Sequence, residues 1–336
     1  MIITKTPFRM SFFGGGTDMP TFFNEYGGAV LSTTFDKYCY VVVRHMPPFH
    51  PYLTELVYNH IERINDIEEI EHPLIRECMR LHDIKEIRLS YEGDLPARTG
   101  LGTSSSFAVG MLNAFCALKG KMMSDRSLAE EAIHIERNIL QECGGWQDQI
   151  AAAYGGLNRI DFHDNDFTVH PIIIHQDRKK ELNENLLLFY TGLQRFSSDI
   201  QADTFSKPID KKNQLLDMLA LVDEAEKILS NNKTTLNEFG KLLDLTWKLK
   251  RGIGAKVSDG SIDELYNIAI KAGALGGKLL GAGGGGFLLF YCEKEKQKNL
   301  INTLNKLMVV PFNFENDGTN VIYYAPQAYS PRKETR

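Results

Sequence analysis

The chain has 336 residues, with 38 Lys and Arg against 43 Asp and Glu and a formal net charge of −5. That balance argues against a nucleic-acid or acidic-membrane partner, and no run of about 18 apolar residues is available to span a bilayer. The 5 cysteines show no CxxC spacing and no accompanying His–Cys cluster, which argues against a zinc site or a disulfide framework; with a start (MIITKTPFRM) that lacks a signal-peptide core, they predict a cytoplasmic protein.

In chain order, residues 2–45 alternate β-rich runs with a glycine turn, and Ala29 to His45 is dense in Val, Tyr and Thr, which predicts strands. IKEIRLSYEG (84–93) alternates apolar and polar residues and predicts another. A helix is expected at about 104–119. Ser127-Leu-Ala-Glu130 has the capping-box pattern for a second helix running through IHIERNIL. QDQIAAAY reads as a short helix ending at Gly155-Gly156, followed by strands LNRIDF, FTVHPIII and LLLFYTG. Beyond about Thr191 the texture becomes charged with helical spacing, and 209–250 reads as a helical hairpin turning at Asn231-Asn232. Thr235 and Glu238 are placed to cap its second arm, and Ser261 and Glu264 to cap a further helix that stops near Gly273. FLLFYCE (287–293) and VIYYAP (321–326) complete the strands. The pattern is α+β in two parts, with a boundary near 175–195, divided as 1–185 and 186–336.

Three glycine-dense segments stand out: FFGGGTD (12–18), GLGTSSS (100–106) and GKLLGAGGGGF (277–287). Gly277-Lys278 fails as a Walker loop, because Ala272 stands where the first glycine belongs and Leu279 follows the lysine. Gly281, Gly283 and Gly286 carry the letters of a dinucleotide fingerprint, but a helix precedes and a strand follows, the reverse of its context. GLGTSSS before a helix is mechanically sounder. Its glycines admit close approach, the helix start offers N–H groups to an anion, and Thr103, Ser104 and Ser105 offer hydroxyls. Equally, Ser104 would suffice as a plain helix cap. Glu136 and Asp148 can fold toward one site across the Gly144-Gly145 turn and serve a magnesium ion and a hydroxyl acceptor. On residues alone, Glu136 also fits a solvated helix face and Asp148 an N-terminal helix charge.

Taken together, PFRMSFFGGGTDMP (7–20), LPARTGLGTSSSF (95–107) and KLLGAGGGGFLLF (278–290) resemble the three motifs of the GHMP kinase superfamily, in that family's order and across nearly the whole chain. GGWQDQIAAAYGGLNRI (144–160), FYTGLQRFSSDI (189–200) and GALGGKLLGAGGGG (273–286) are most similar to its D-glycero-D-manno-heptose 7-phosphate kinase branch and the related fucokinases. The resemblance implies two α+β domains, the second ferredoxin-like, with the active site in the cleft between them. It implies an ATP- and Mg²⁺-dependent sugar kinase of carbohydrate metabolism that phosphorylates an anomeric hydroxyl. Heptose 7-phosphate would give the 1,7-bisphosphate; a fucokinase-type enzyme on an unphosphorylated sugar, or an inactive sugar sensor, are the alternatives.

Position by position, the resemblance assigns Gly100, Gly102, Thr103, Ser104 and Ser105 to the nucleotide phosphates. It assigns Ser104 and Glu136 to Mg²⁺, Asp148 and Arg9 to catalysis, and Asp18 to a sugar hydroxyl. Arg195, with Ser197 and Ser198 nearby, is the candidate for a substrate phosphate; Lys207, Arg44 and Lys278 are weaker ones, and Arg98 suits either a phosphate of the loop or plain solvent. Galactokinases carry Glu-His where this chain has Gly15-Gly16, which implies a more open sugar pocket. The oligomeric state is not legible.

Overall fold

The computed structural model describes residues 1–97, 99–192, 211–254, 257–258, 260–281 and 283–326. Its spine is β1 (Ile2–Phe13) paired antiparallel with β2 (Gly28–His45), two strands long enough to carry both the core and the site. The short helix α1 (Pro20–Tyr26) joins them, started by a proline whose missing N–H costs a first turn nothing.

Among the described residues the first sheet has nine strands. Its main path runs β13 (Asn320–Tyr324), β1, β2, β5 (Ile87–Gly93), β3 (Thr54–Val57), β4 (Ile61–Ile64), while β6 (Leu157–His163), with β7 (Asp166–Pro171) beyond it, and β12 (Phe314–Glu315) also join β2. α2 (Pro73–Leu81), α3 (Thr103–Leu118), α4 (Asp125–Ile133) and α5 (Gln147–Tyr154) complete this half. α3 is buried on nearly all sides, from Thr103 and Ser105 through Phe115 and Leu118, so it reads as a core helix without a polar face.

After α6 (Gln176–Glu184), β8 (Leu186–Tyr190) opens a second sheet. The hairpin α7 (Lys212–Ser230) and α8 (Asn237–Ile253) follows, then α9 (Gly260–Lys271), β9 (Gly276–Leu279), β10 (Phe287–Tyr291), α10 (Lys294–Thr303) and β11 (Met308–Val310). The antiparallel order β11-β8-β10-β9 is the ferredoxin-like arrangement. The chain then returns to the first sheet with β12 and β13. Among the described residues, no helix is long and apolar enough to cross a membrane.

Two expected caps differ. Ser124, not Ser127, caps α4, because its hydroxyl accepts the Ser127 N–H at 3.1 Å. Ser261 lies inside the first turn of α9, while Ser258 donates to Asp263 at 2.8 Å. Thr235 does accept from the Asn237 N–H, at 3.3 Å.

Aromatic packing ties α8 to the first sheet. Phe239 meets Phe12 and Phe13 edge-on, with ring centroids 5.4 and 5.1 Å apart, and all three are fully buried. Phe239→Ala is expected to destabilise the fold by about 3–5 kcal/mol, since both the ring and its edge-to-face partners are lost. Urea denaturation checks this; a loss below about 1 kcal/mol would show that the seam is looser than described.

Candidate active site

Arg9 sits on β1 just past the register shift at Pro7/Phe8, and its N–H donates to Leu101 O at 3.2 Å. Its guanidinium makes a fork on Asp148, with Nε to Oδ1 and Nη2 to Oδ2 both at 2.7 Å. Nη1 donates to Gly100 O at 2.7 Å. One buried side chain thus ties β1 to the second glycine-dense segment and to the acid on α5, the planar bidentate geometry that arginine suits and lysine does not.

The second and third segments are pressed together. A β-carbon on Gly100, where φ is +80°, would stand 2.5 Å from Leu280 O, and one on Gly281 would stand 2.2 Å from Gly100 Cα. Only glycines allow that approach. The N-cap of α3 is Gly102, in the left-handed region, so no side chain covers the helix start. Its first-turn N–H groups are left for a bound anion. The Ser104 hydroxyl is not a cap: it donates to Glu136 Oε1 at 3.2 Å.

Glu136 corrects the solvated-face alternative. It is 1% exposed and lies in a π-helical segment, His134–Ile139, that continues α4. The wider turn shifts the register there and directs its carboxylate to the start of α3, a device common at functional sites. Ser105 donates to Oε2 at 2.8 Å, and Gln149 Nε2 donates to the same oxygen.

Asp148 occupies the first turn of α5, immediately after the Gly144-Gly145 turn. Asp18 is buried beside it, accepting from Gly16 N–H at 2.9 Å and from the Gln147 side chain at 2.9 Å. Burial pushes the Asp18 carboxyl up; the Gly16 and Gln147 hydrogen bonds oppose this, and the charge of Asp148 adds to it. Gly145 is required for this contact, since a β-carbon there would fall 1.8 Å from Asp18 Oδ2.

Two amines complete the electrostatics. Lys278 is buried and donates to Phe12 O at 2.8 Å, which withdraws it from the candidates for a substrate phosphate. Lys250 of α8 donates to Leu279 O at 3.1 Å and to Gly281 O. Burial and the charge of Arg9 hold the Lys250 amine down at about 7, and Lys278 lies well below the usual lysine range for the same first reason. A polyanion bound beside them favours the charged amines, so nucleotide binding is expected to take up protons from about pH 7 upward. Calorimetry in buffers of different ionisation heat reads that uptake directly. Lys250→Met should reduce it; an unchanged uptake would place the titrating group elsewhere.

The structure therefore brings Arg9, Gly100, Gly102, Thr103, Ser104, Ser105, Glu136, Asp148 and Asp18 into one neighbourhood. Arg195, Ser197, Ser198, Lys207 and Arg98 lie outside the described residues. Sequence reasoning missed Gln147 and Gln149, which flank Asp148 in the string QDQ, and Lys250, which nothing in its helical pattern distinguishes from a solvated lysine.

Residues 67–156 match the GHMP kinases N terminal domain and residues 224–310 match GHMP kinases C terminal. A D-glycero-alpha-D-manno-heptose 7-phosphate kinase of Campylobacter jejuni is 30% identical over 94% of this chain and 97% of its own.

The chain belongs to the GHMP kinase family. It is a sugar kinase of GHMP type, a phosphotransferase acting on a hydroxyl, and GHMP kinases use ATP. A structure described as a D-glycero-D-manno-heptose 1-phosphate kinase from Bacteriodes thetaiotaomicron superposes with a TM-score of 0.78 at 25% identity, covering 98% of this chain and 100% of that one. An L-fucokinase/L-fucose-1-P guanylyltransferase of Bacteroides fragilis is 25% identical over 84% of this chain but only 34% of its own length.

Proposed function

We propose that this GHMP kinase transfers the γ-phosphoryl of ATP to the anomeric hydroxyl of D-glycero-D-manno-heptose 7-phosphate, giving the 1,7-bisphosphate. The observation that carries the reading is the Arg9–Asp148 fork, anchored to Gly100 of the phosphate loop. It sets an acid, a guanidinium and a phosphate cradle within one side-chain length of each other. Asp148 orients the acceptor hydroxyl and takes its proton. Arg9 balances charge on the transferring phosphoryl, and the N–H groups at the start of α3 hold the remaining phosphates. Positioning and electrostatics supply most of such a barrier reduction.

Magnesium suits the residues present. Ser104 and Glu136 are hard oxygen donors 3.2 Å apart, and no group of three or more His, Cys, Asp or Glu side chains able to hold a metal forms among the described residues. A Mg²⁺ ion needs only one or two carboxylates when phosphates supply other ligands, and it would supply charge neutralisation there. The aromatic sequence Tyr58, His72, Phe107, edge-on at 5.1 and 5.9 Å, gives an apolar wall near the phosphate-loop helix and supports the 57–65 region for adenine. Arg195 remains the proposed partner of the 7-phosphate.

A fucokinase-type acceptor is the second reading, favoured by the similarity to the fucokinase of Bacteroides fragilis. A sensor without activity is disfavoured, because Arg9, Ser104, Glu136 and Asp148 are all present, with Arg9 bonded to Asp148 and Ser104 to Glu136. Release of ADP with ATP and Mg²⁺ across heptose 7-phosphate, sedoheptulose 7-phosphate, mannose, fucose and galactose tests the choice. Turnover confined to the heptose phosphate is expected. Turnover on fucose alone would replace this acceptor while keeping Asp148 as base.

A further inference from the structure

The third glycine-dense segment is a turn whose own residues give it little stiffness. Gly281, Gly283, Gly284, Gly285 and Gly286 all have positive φ, from +75° to +152°. Glycine adopts such conformations freely and leaves them as freely. Two side chains from other elements tie the ends of the turn. Thr191, just past β8, donates through Oγ1 to Gly286 O at 2.9 Å and accepts from the Gly286 N–H at 3.1 Å. Lys250, on α8, donates to Gly281 O and, at the end of β9, to Leu279 O at 3.1 Å. Its helix neighbours Lys248 and Arg251 form ion pairs with Asp244 and Asp263, whereas the half-buried Lys250 directs its N–H groups at backbone carbonyls. The contacts continue beyond the turn. A β-carbon on Gly281 would stand 2.2 Å from Gly100 Cα and 2.8 Å from Gly100 O, and that oxygen accepts from Arg9 Nη1 at 2.7 Å. One line of close contacts thus runs from Lys250 through Gly281 and Gly100 to the guanidinium that forks on Asp148.

We infer that Lys250 is a positioning residue for phosphoryl transfer, bracing the 277–287 turn so that Gly100 O stands where it orients the guanidinium of Arg9. A guanidinium is planar, and its three hydrogen bonds form together only when Gly100 O and both Asp148 oxygens are suitably placed around it. Close-packed groups pass displacements on to one another. With Gly281 released, Gly100 gains room to move, and Arg9 loses the acceptor that sets its roll against Asp148. An ammonium group suits the brace, because it offers three donors and makes charge-assisted bonds to both carbonyls. A displacement of about 1 Å in a reacting group costs on the order of 10² in rate. The inference deepens the kinase reading: its catalytic consequence rests on Arg9 and Asp148 as the reacting pair, while the brace itself rests on the contacts alone. Lys250 acts through Arg9.

Lys250→Met tests the brace, since it keeps most of the side-chain volume and removes the donors. The Nε–H of Arg9, donated to Asp148 Oδ1, gives an NMR signal that is read without substrate and assigned by its loss in Arg9→Lys. Expected for Lys250→Met are a displaced Arg9 signal, a fall in kcat of about tenfold or more with ATP, Mg²⁺ and D-glycero-D-manno-heptose 7-phosphate, and an acceptor KM within about threefold of wild type. Lys250→Ala is the second variant, with thermal melting to follow the fold of each. Ethylammonium added to Lys250→Ala is expected to enter the vacated space and recover part of kcat and of the wild-type Arg9 signal, which a loss of packing alone would not allow. An Arg9 signal unchanged in both variants, or a wild-type kcat in Lys250→Met, would overturn the brace while leaving the kinase reading intact. A displaced Arg9 signal in both variants, with no phosphoryl transfer by wild type to any sugar, would overturn the kinase reading while upholding the brace.

Discussion

Asp148→Asn is expected to lower kcat by about 10²–10⁴ while ATP affinity stays within a few fold of wild type. The change is nearly isosteric, so α5 and the Gly144-Gly145 turn should hold their places. What it removes is the basic oxygen. An asparagine keeps one acceptor for Arg9 but turns an NH₂ group toward the other arm of the fork, where wild type has Oδ1 and Oδ2 both at 2.7 Å from guanidinium nitrogens. It can neither take the acceptor proton nor hold the fork symmetrically. The proposed phosphate cradle lies on other residues, Gly100 to Ser105, so nucleotide binding should persist. Steady-state kinetics with a fluorescent-nucleotide titration separates the two effects. Turnover near wild type would exclude Asp148 as the base.

Arg9→Met should cost about 10²–10³ in kcat and also lower thermal stability. The methionine fills most of the volume but leaves Asp148 without its partner and Gly100 O without a donor. It also removes one of the positive charges facing Lys250 and Lys278, which eases the repulsion that depresses both amines. Part of the stability loss is therefore returned, and the net shift in melting temperature should be smaller than the kinetic loss suggests. Arg9→Lys sharpens the test. A single ammonium cannot reach both carboxylate oxygens and the Gly100 carbonyl in the fork geometry, so it should restore little of the rate. Full rescue by lysine would mean that Arg9 acts as a point charge only.

Much of the fold was legible because its signals are local. A run dense in Val, Tyr and Thr marked β2, short apolar runs of Leu, Phe and Tyr marked β8 and β10, and helical spacing marked the α7–α8 hairpin to within a few residues. From its residues GLGTSSS was legible as a turn able to admit an anion, beside the plainer reading of Ser104 as a helix cap, which the Ser104–Glu136 hydrogen bond replaces. Its contact with the 277–287 segment was not: that Gly100 and Gly281 need to be glycine for each other is a fact of tertiary packing, separated by most of the chain. Glu136 shows the same limit. A regular α-helix read from its sequence leaves the residue's direction open, and the π-helical segment that buries it has no signature in HIERNI. Ser11 Oγ and Gln147 Oε1, without a hydrogen-bond partner among the described residues, stayed invisible because such a group exists only in three dimensions.

The measurement that bears most directly on the account is the position of the transferred phosphoryl. Incubation with ATP, Mg²⁺ and D-glycero-D-manno-heptose 7-phosphate, followed by ³¹P NMR with proton correlation, locates it by coupling. A second sugar phosphorus resonance is expected, coupled to the anomeric proton, growing in step with ADP and absent with Asp148→Asn. A new phosphorus coupled to any other ring proton, or ADP formed with no new sugar phosphate, would contradict it.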